Sequence, residues 1–142
     1  MRPLRISSAC SSSSSREGTV LLDTHTLLWW LGDLPRLTSG ARSMIALSPT
    51  VLVSAVSIFE IEMKRRIGKL DAPPDVLGAV RAEGFWLQSL SAPAAAAAGT
   101  LEWVHRDPFD RLLVAQAREL QVPILTEDRR LLDFEPLATA AR

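Results

Sequence analysis

Four carboxylates stand next to short apolar runs or at the starts of helical segments, where side chains often do chemistry. Asp23 directly follows the apolar run 19–22, and Asp128 follows the last such run of the chain. Glu60 and Asp110 fall in the first turns of segments with helical patterns. Ligands of parallel α/β sheets bind beyond the carboxyl ends of the strands, so these four groups are the candidates for a shared site.

Each carboxylate also has an ordinary structural explanation. Three of them fit helix-capping patterns: Ser57-x-x-Glu60, Asp107-Pro108-x-Asp110, and Asp128 ahead of a short helical turn. Asp23 is harder to explain in this way, because it ends a buried strand and leads into the very apolar segment 27–31. A carboxylate that is partly removed from water is costly unless it is paired or bound to a metal.

Four carboxylates at one sheet edge would also repel each other. Two unit charges about 5 Å apart repel by roughly 3 kcal/mol at an effective dielectric of 20, while a domain has only about 5–15 kcal/mol of net stability. No cluster of His or Cys accompanies the acids, so a hard, oxygen-preferring cation is the natural partner, Mg²⁺ or Mn²⁺. Carboxylates that hold Mg²⁺ suit phosphoryl chemistry, because the ion neutralises phosphate charge and activates water.

The elements that must position these acids follow from alternating apolar and helical patterns. The predicted strands are residues 19–22, 51–54, 85–87 and 122–126. The predicted helices are 24–31, 38–47, 57–67, 73–84, 91–104 and 107–120, with a helical turn over 129–132. Short buried strands that alternate with helices predict βαβ units, and hence an α/β domain with a parallel sheet covered on both faces.

Composition limits the classes of function. The 142 residues carry 16 Lys+Arg against 16 Asp+Glu, and a net charge of zero argues against nucleic-acid binding by bulk positive charge alone. The single cysteine, Cys10, excludes an internal disulfide and fits a reducing compartment. No apolar run approaches the roughly 18 residues of a membrane helix. We therefore expect a cytoplasmic domain without a membrane partner.

The first 18 residues are rich in Ser and Arg and contain no acid before Glu17. They predict a disordered tail ahead of a folded domain over residues 19–142. A translation start assigned too far upstream explains this tail best, and an organelle transit peptide is the alternative.

Four segments carry a family resemblance: LLDTHTLLWWL (21–31), VSAVSIFEIEMKRRIGKL (53–70), HRDPFDRLLVAQA (105–117) and ILTEDRRL (124–131). In this order and spacing the chain resembles PIN-domain ribonucleases of the VapC toxin kind. The resemblance implies a three-layer α/β/α fold with a central parallel sheet and Mg²⁺-dependent cleavage of RNA to 5′-phosphate and 3′-hydroxyl ends. It also implies a small antitoxin partner and homodimerisation.

The same resemblance assigns roles to the four acids. Asp23 and Asp110 would be the main direct metal ligands, and Glu60 and Asp128 would act through water or a second ion. The Ser-rich extension departs from the family, whose members usually begin within a few residues of the first Asp.

Further residues near the acids have two interpretations each. Lys64, Arg65, Arg111 and Arg129 are candidate contacts to substrate phosphates, although Lys64 also has the i,i+4 spacing for an ion pair with Glu60. Thr24 either orients a metal-bound water or caps a helix, and Asp107 either caps a helix or contacts metal or substrate.

The aromatic residues and histidines carry weaker indications. The four tryptophans stand at apolar positions typical of core or interface, although such rings also stack RNA bases. His25 and His105 have no Ser or Cys nucleophile at triad spacing, which disfavours a role as general base.

Three other functions compete with the ribonuclease interpretation. A phosphate-accepting signalling domain needs a Lys at the end of its last strand, where this chain has Thr126-Glu127-Asp128. A phosphatase with Asp-x-Asp after the first strand is excluded by His25. A catalytically inactive RNA-binding module of the same fold stays open, and a cleavage assay with and without EDTA separates it from the nuclease.

Overall fold

Five parallel strands form one sheet in the computed structural model, which describes residues 17–140. The predicted tail therefore lies almost entirely outside the described residues. The strands are β1 (Thr19–Leu22), β2 (Thr50–Ser54), β3 (Trp86–Gln88), β4 (Ile124–Thr126) and β5 (Ala138–Ala140). Their spatial order is β3-β2-β1-β4-β5, so β1 lies at the centre.

Seven helices connect and cover the strands within residues 17–140. They are α1 (Thr24–Leu31), α2 (Ser39–Leu47), α3 (Ala55–Arg66), α4 (Val76–Ala82), α5 (Ala92–Gly99), α6 (Pro108–Leu120) and α7 (Arg129–Phe134). None of these helices is long and apolar enough to cross a membrane.

Two apolar cores lie on opposite faces of the sheet. Val20 and Leu22 of β1 pack in the first core with residues of α1, α2 and α4, whereas Leu21 packs in the second with residues of α6 and α7. Successive residues of a strand point to opposite faces, so a strand buried on both faces must be apolar throughout. This arrangement confirms the predicted three-layer α/β/α fold.

The strand register brings three carboxyl ends to one edge. Leu22 of β1 is level with Val53 of β2 and with Leu125 of β4. The residues that follow, Asp23 among them, therefore start from neighbouring points at the same edge of the sheet.

Two predicted helix ends were wrong near the site. α3 begins at Ala55 rather than Ser57, because the Ser54 side chain caps it by accepting from the amide of Val56. The predicted capping box at Ser57 is therefore not the cap of this helix. α5 ends at Gly99 instead of continuing to residue 104, and the following carbonyl groups are satisfied by an arginine described below.

Other boundaries moved for local reasons, and one strand was missed. β4 starts at Ile124, because Pro123 has no N–H to donate to a ladder. α4 starts at Val76 behind an Asp75 cap, and α7 extends to Phe134. β5 was not predicted, since its sequence Ala-Thr-Ala has neither length nor apolar pattern, and it forms by pairing with β4.

Candidate active site

Asp23 sits at the end of the central strand and is only 5% exposed. It caps α1, its Oδ1 accepting from the backbone amide of Thr26 at 3.0 Å. Its Oδ2 accepts from the hydroxyl of Thr126 at 2.5 Å. Burial raises the pKa of Asp23, although these hydrogen bonds oppose the shift. Both carboxylate oxygens of Asp23 are thus held in place by hydrogen bonds, and the side chain has little contact with solvent.

Thr126 connects two of the predicted acids. Its hydroxyl donates to Asp23 and also accepts from the backbone amide of Asp128 at 3.0 Å. Asp128 caps α7 by accepting from the Arg130 amide at 2.8 Å, as predicted, and pairs with the Arg130 guanidinium at 3.1 Å. Partial burial acts to raise the pKa of Asp128, but the Arg130 hydrogen bonds outweigh it and hold that pKa below its usual value.

Glu60 is buried on α3, 5% exposed, with both carboxylate oxygens occupied. Its Oε1 accepts from the hydroxyl of Thr24 at 2.7 Å, and its Oε2 pairs with Lys64 Nζ at 2.5 Å. The predicted i,i+4 ion pair is confirmed. The interpretation of Thr24 as a helix cap was wrong, because Asp23 caps α1 and Thr24 donates to Glu60 and to the Ser57 hydroxyl, 3.0 Å away.

Asp110 occupies the first turn of α6 beside a histidine and a second acid. Its Oδ2 lies 2.6 Å from Nε2 of His105, and one ligand atom from each of His105, Asp107 and Asp110 lies within 4.8 Å of the others. Asp107 caps α6, as predicted, by accepting from the Phe109 amide at 2.8 Å.

The pKa of Asp110 shows that other acids lie near it. Burial, followed by the negative charges of Asp107, Asp128 and Asp23, raises the pKa of Asp110 to about 6, against the opposing hydrogen bond from His105. For Lys64, burial acts to lower the pKa, but Glu60, Asp107 and Asp110 together raise it. The charges of Asp23, Asp107 and Asp128 therefore act on Asp110, and Lys64 connects Glu60 with Asp107 and Asp110. These five acids, Asp23, Glu60, Asp107, Asp110 and Asp128, are called the acidic pocket.

The donor atoms of the pocket fit a hard divalent cation. Most of the possible ligand atoms are carboxylate oxygens. Burial raises the pKa of two of the acids, Asp23 and Asp110, because their charged forms are poorly solvated. A bound Mg²⁺ or Mn²⁺ would relieve this repulsion, and the imidazole of His105 is compatible with Mn²⁺. Sequence reasoning did not assign a site role to His105; its position five residues before Asp110, at the entrance to α6, was the available clue.

Two of the candidate phosphate contacts are engaged elsewhere. The Arg65 guanidinium donates to the carbonyls of Ala72 and Pro73 and pairs with Glu62. The Arg111 guanidinium donates to the carbonyl of Ala98 in the last turn of α5 and to three carbonyls of the segment that follows, those of Leu101, Trp103 and His105. Backbone carbonyls outside regular structure need donors, and both arginines supply them. This engagement argues against phosphate contact by either side chain, while Arg129 is exposed at the start of α7.

The structure is an α/β/α domain with a group of acids at the carboxyl edge of its sheet, and comparison with known proteins gives its family. The family model of the PIN domain matches residues 20–135. The chain belongs to the PIN-domain family.

A curated relative and two solved structures extend this result. The chain is 32% identical over 123 residues to Ribonuclease VapC22 of Mycobacterium tuberculosis, an alignment that covers 80% of this chain and 89% of the relative. The structure of a toxin–antitoxin complex from Klebsiella pneumoniae contains a chain that aligns with this one at 16% identity and a TM-score of 0.64. The alignment covers 87% of this chain and 98% of that one. DNA-bound VapBC from Salmonella typhimurium has 17% identity and a TM-score of 0.65, with the same coverage. At such identities the two structures support the fold.

Proposed function

We propose that this chain is a metal-dependent endoribonuclease that acts as the toxin of a toxin–antitoxin pair. The observation that carries the proposal is that buried Asp23, together with Asp107 and Asp128, acts electrostatically on the partly buried Asp110. Membership of the PIN-domain family and the likeness to a VapC ribonuclease support the same activity. The substrate is RNA, and the products are 5′-phosphate and 3′-hydroxyl ends.

In this proposal Asp23 and Asp110 hold Mg²⁺, for which Mn²⁺ can substitute. The cation, when bound, supplies charge neutralisation of the phosphate and polarisation of water. Thr126 and Thr26 orient the Asp23 carboxylate, and His105 orients that of Asp110. Glu60 has its oxygens occupied by Thr24 and Lys64, which suits a role through water rather than as a direct ligand.

The remaining steps concern the proton and the leaving group. A carboxylate of the acidic pocket accepts the proton of the attacking water, whose oxygen forms a bond to phosphorus in line with the scissile bond. The bond from phosphorus to the 3′ oxygen breaks, and the leaving 3′ oxygen takes a proton from solvent water to give the 3′-hydroxyl. Lys64 and Arg129 are the cations that we retain for contact with substrate phosphates, with Thr24 and Asp107 in supporting positions.

The test is cleavage of RNA by Asp23→Asn and Asp110→Asn. Each variant should lose Mg²⁺-dependent cleavage by at least about 100-fold, because an amide is a poor ligand for a hard cation, while circular dichroism stays unchanged. Asp71→Asn, an exposed acid outside the pocket, is the matched control. Full cleavage by both pocket variants, or cleavage that persists in EDTA, would contradict the proposal. Binding of RNA without cleavage by the wild-type protein would instead leave an inactive RNA-binding module.

The partners follow from the same proposal. A small antitoxin covers the acidic pocket and presents an Arg to its carboxylates, and the toxin forms a homodimer in the cytoplasm. Co-expression with the short neighbouring reading frame should abolish cleavage, and light scattering should give the mass of a dimer for the toxin alone.

A further inference from the structure

An exposed aromatic ring borders the acidic pocket at the junction of α3 and α6. Phe59 directly precedes Glu60 and is 61% exposed, and Phe109 directly precedes Asp110. The two ring centroids lie 5.8 Å apart with an interplanar angle of 53°. The pair thus joins the two helices that carry Glu60 and Asp110.

Phe109 lies between this exposed ring and the charged groups of the pocket. Lys64 Nζ is 5.6 Å from the centroid of Phe109 and 2.5 Å from Glu60 Oε2. One aromatic contact and one cation–π contact therefore connect the Phe59 ring to the ion pair of the site. The Phe59 ring therefore borders the side of the pocket that holds Lys64 and Glu60.

We propose that Phe59 is a stacking platform for one base of a single-stranded RNA, next to the phosphate that is cleaved. The proposal rests on the ribonuclease function proposed above and deepens it by naming a base-binding residue. Unpaired bases stack on aromatic side chains, and such stacking tolerates different bases because every base has a π-face. Phe109 supports the platform from the pocket side.

The surroundings favour a base over an apolar protein partner. Met63 on the same helix and Ile67 just beyond its end continue an apolar stripe, 38% and 59% exposed, and such a stripe alone would also suit a protein. Phe59, however, is the member of this stripe that contacts an aromatic ring of the site. Lys64 supplies a cation next to Phe109, and the exposed Arg66 lies on the same helix as Phe59; backbone phosphates on either side of a stacked base require such cations.

The test compares Phe59→Ala, Phe59→Trp and the control Ile67→Ala, an exposed apolar residue just beyond α3. The substrate is a synthetic RNA oligonucleotide copied from the strongest cut mapped in total RNA treated with the wild-type protein. Phe59→Ala should raise KM by about tenfold, within the range for loss of one stacked base, and leave kcat within about twofold. Phe59→Trp should retain wild-type KM, and Ile67→Ala should not change it.

Oligonucleotides with one abasic position near the cut identify the stacked base. At that position the wild-type protein should lose as much affinity as Phe59→Ala does on intact RNA, and the variant should lose nothing further. Unchanged KM in Phe59→Ala, or equal losses in Ile67→Ala, would overturn the platform, and a loss of dimer mass or of antitoxin binding instead would assign the stripe to a protein. Absence of cleavage by the wild-type protein would reject the ribonuclease function itself.

Discussion

At the scale of single residues, the site depends on carboxylates whose charged form is unfavourable, because they are shielded from water or lie near other acids. Asp110 illustrates this, because burial and three neighbouring acids raise its pKa to about 6. A carboxyl group whose folded-state pKa lies above its unfolded value contributes a penalty that grows as pH rises between the two. The charge of Asp110 thus lowers the stability of the metal-free protein, in an arrangement that suits the proposed cation binding.

Asp110→Asn should therefore stabilise the metal-free protein at neutral pH. Between pH 3.8 and about 6 the folded state binds more protons than the unfolded state, so the penalty is complete above about pH 6. The gain should be on the order of 1–3 kcal/mol at pH 7.5 and much smaller at pH 4.5. Thermal unfolding in EDTA at both pH values measures it, with Asp71→Asn as control. A lower melting temperature for Asp110→Asn at pH 7.5 would contradict the assigned repulsion.

Lys64→Met should destabilise the fold, because it leaves the buried Glu60 charge without its ion-pair partner. We expect a loss of about 1–3 kcal/mol in the free energy of unfolding, measured by urea denaturation. Lys69→Met, an exposed lysine beyond the same helix, should have little effect. The double variant Glu60→Gln with Lys64→Met should recover part of the loss, and simple additivity would show that the pair is not coupled.

At the scale of elements, the ends of β1 and β4 are joined by one hydroxyl. Thr126 donates to Asp23 and accepts from the amide of Asp128, so it fixes the start of α7 relative to the central strand. Arg111 has a comparable role for the irregular segment that leads to His105, since it satisfies three carbonyls there. Two side chains remote in sequence from Asp23 thus set the geometry of the pocket.

Thr126→Val should weaken metal binding while preserving the fold. Loss of a group that orients a metal ligand typically costs about 10–100-fold in affinity, and calorimetric titration with Mn²⁺ measures it. Thr139→Val, on the edge strand β5, is the matched control. Equal Mn²⁺ affinity in Thr126→Val and the wild type would show that the Thr126 hydroxyl does not position Asp23.

At the scale of the whole molecule, the net charge of zero is a sum that conceals an acidic pocket, in which Lys64 and Arg130 pair with two of the five acids. A ligand that binds only the folded state stabilises it by mass action. Mg²⁺ should thus offset the repulsion among the pocket carboxylates and raise the stability of the domain.

Saturating Mg²⁺ should raise the melting temperature of the wild-type protein, by an amount equivalent to about 2.7 kcal/mol at 100 times the dissociation constant. Asp23→Asn should respond much less, because it lacks one of the proposed ligands. Differential scanning calorimetry at constant ionic strength, with NaCl replacing MgCl₂, provides the measurement and its control. An equal rise in Asp23→Asn would place the stabilising ion outside the pocket.

The sequence by itself determined the layers of the fold and the identity of the acids. Strands buried on both faces must be continuously apolar, and this pattern predicted β1 and β2 nearly to the residue. Asp23 stood out because a carboxylate at the end of such a strand has little access to water. These properties are local, so the order of residue types is enough to show them.

Only the tertiary structure decided the partners of those acids. Ser57-x-x-Glu60 has the spacing of a capping box, yet Ser54 caps the helix, and Glu60 turns instead to Thr24 and Lys64. His105 beside Asp110, Thr126 on Asp23 and the pairing of β5 with β4 likewise depend on contacts that no local pattern encodes. Hydrogen bonds and charges act over a few ångströms in space, and which residues come that close is settled by the packing of the sheet and its helices.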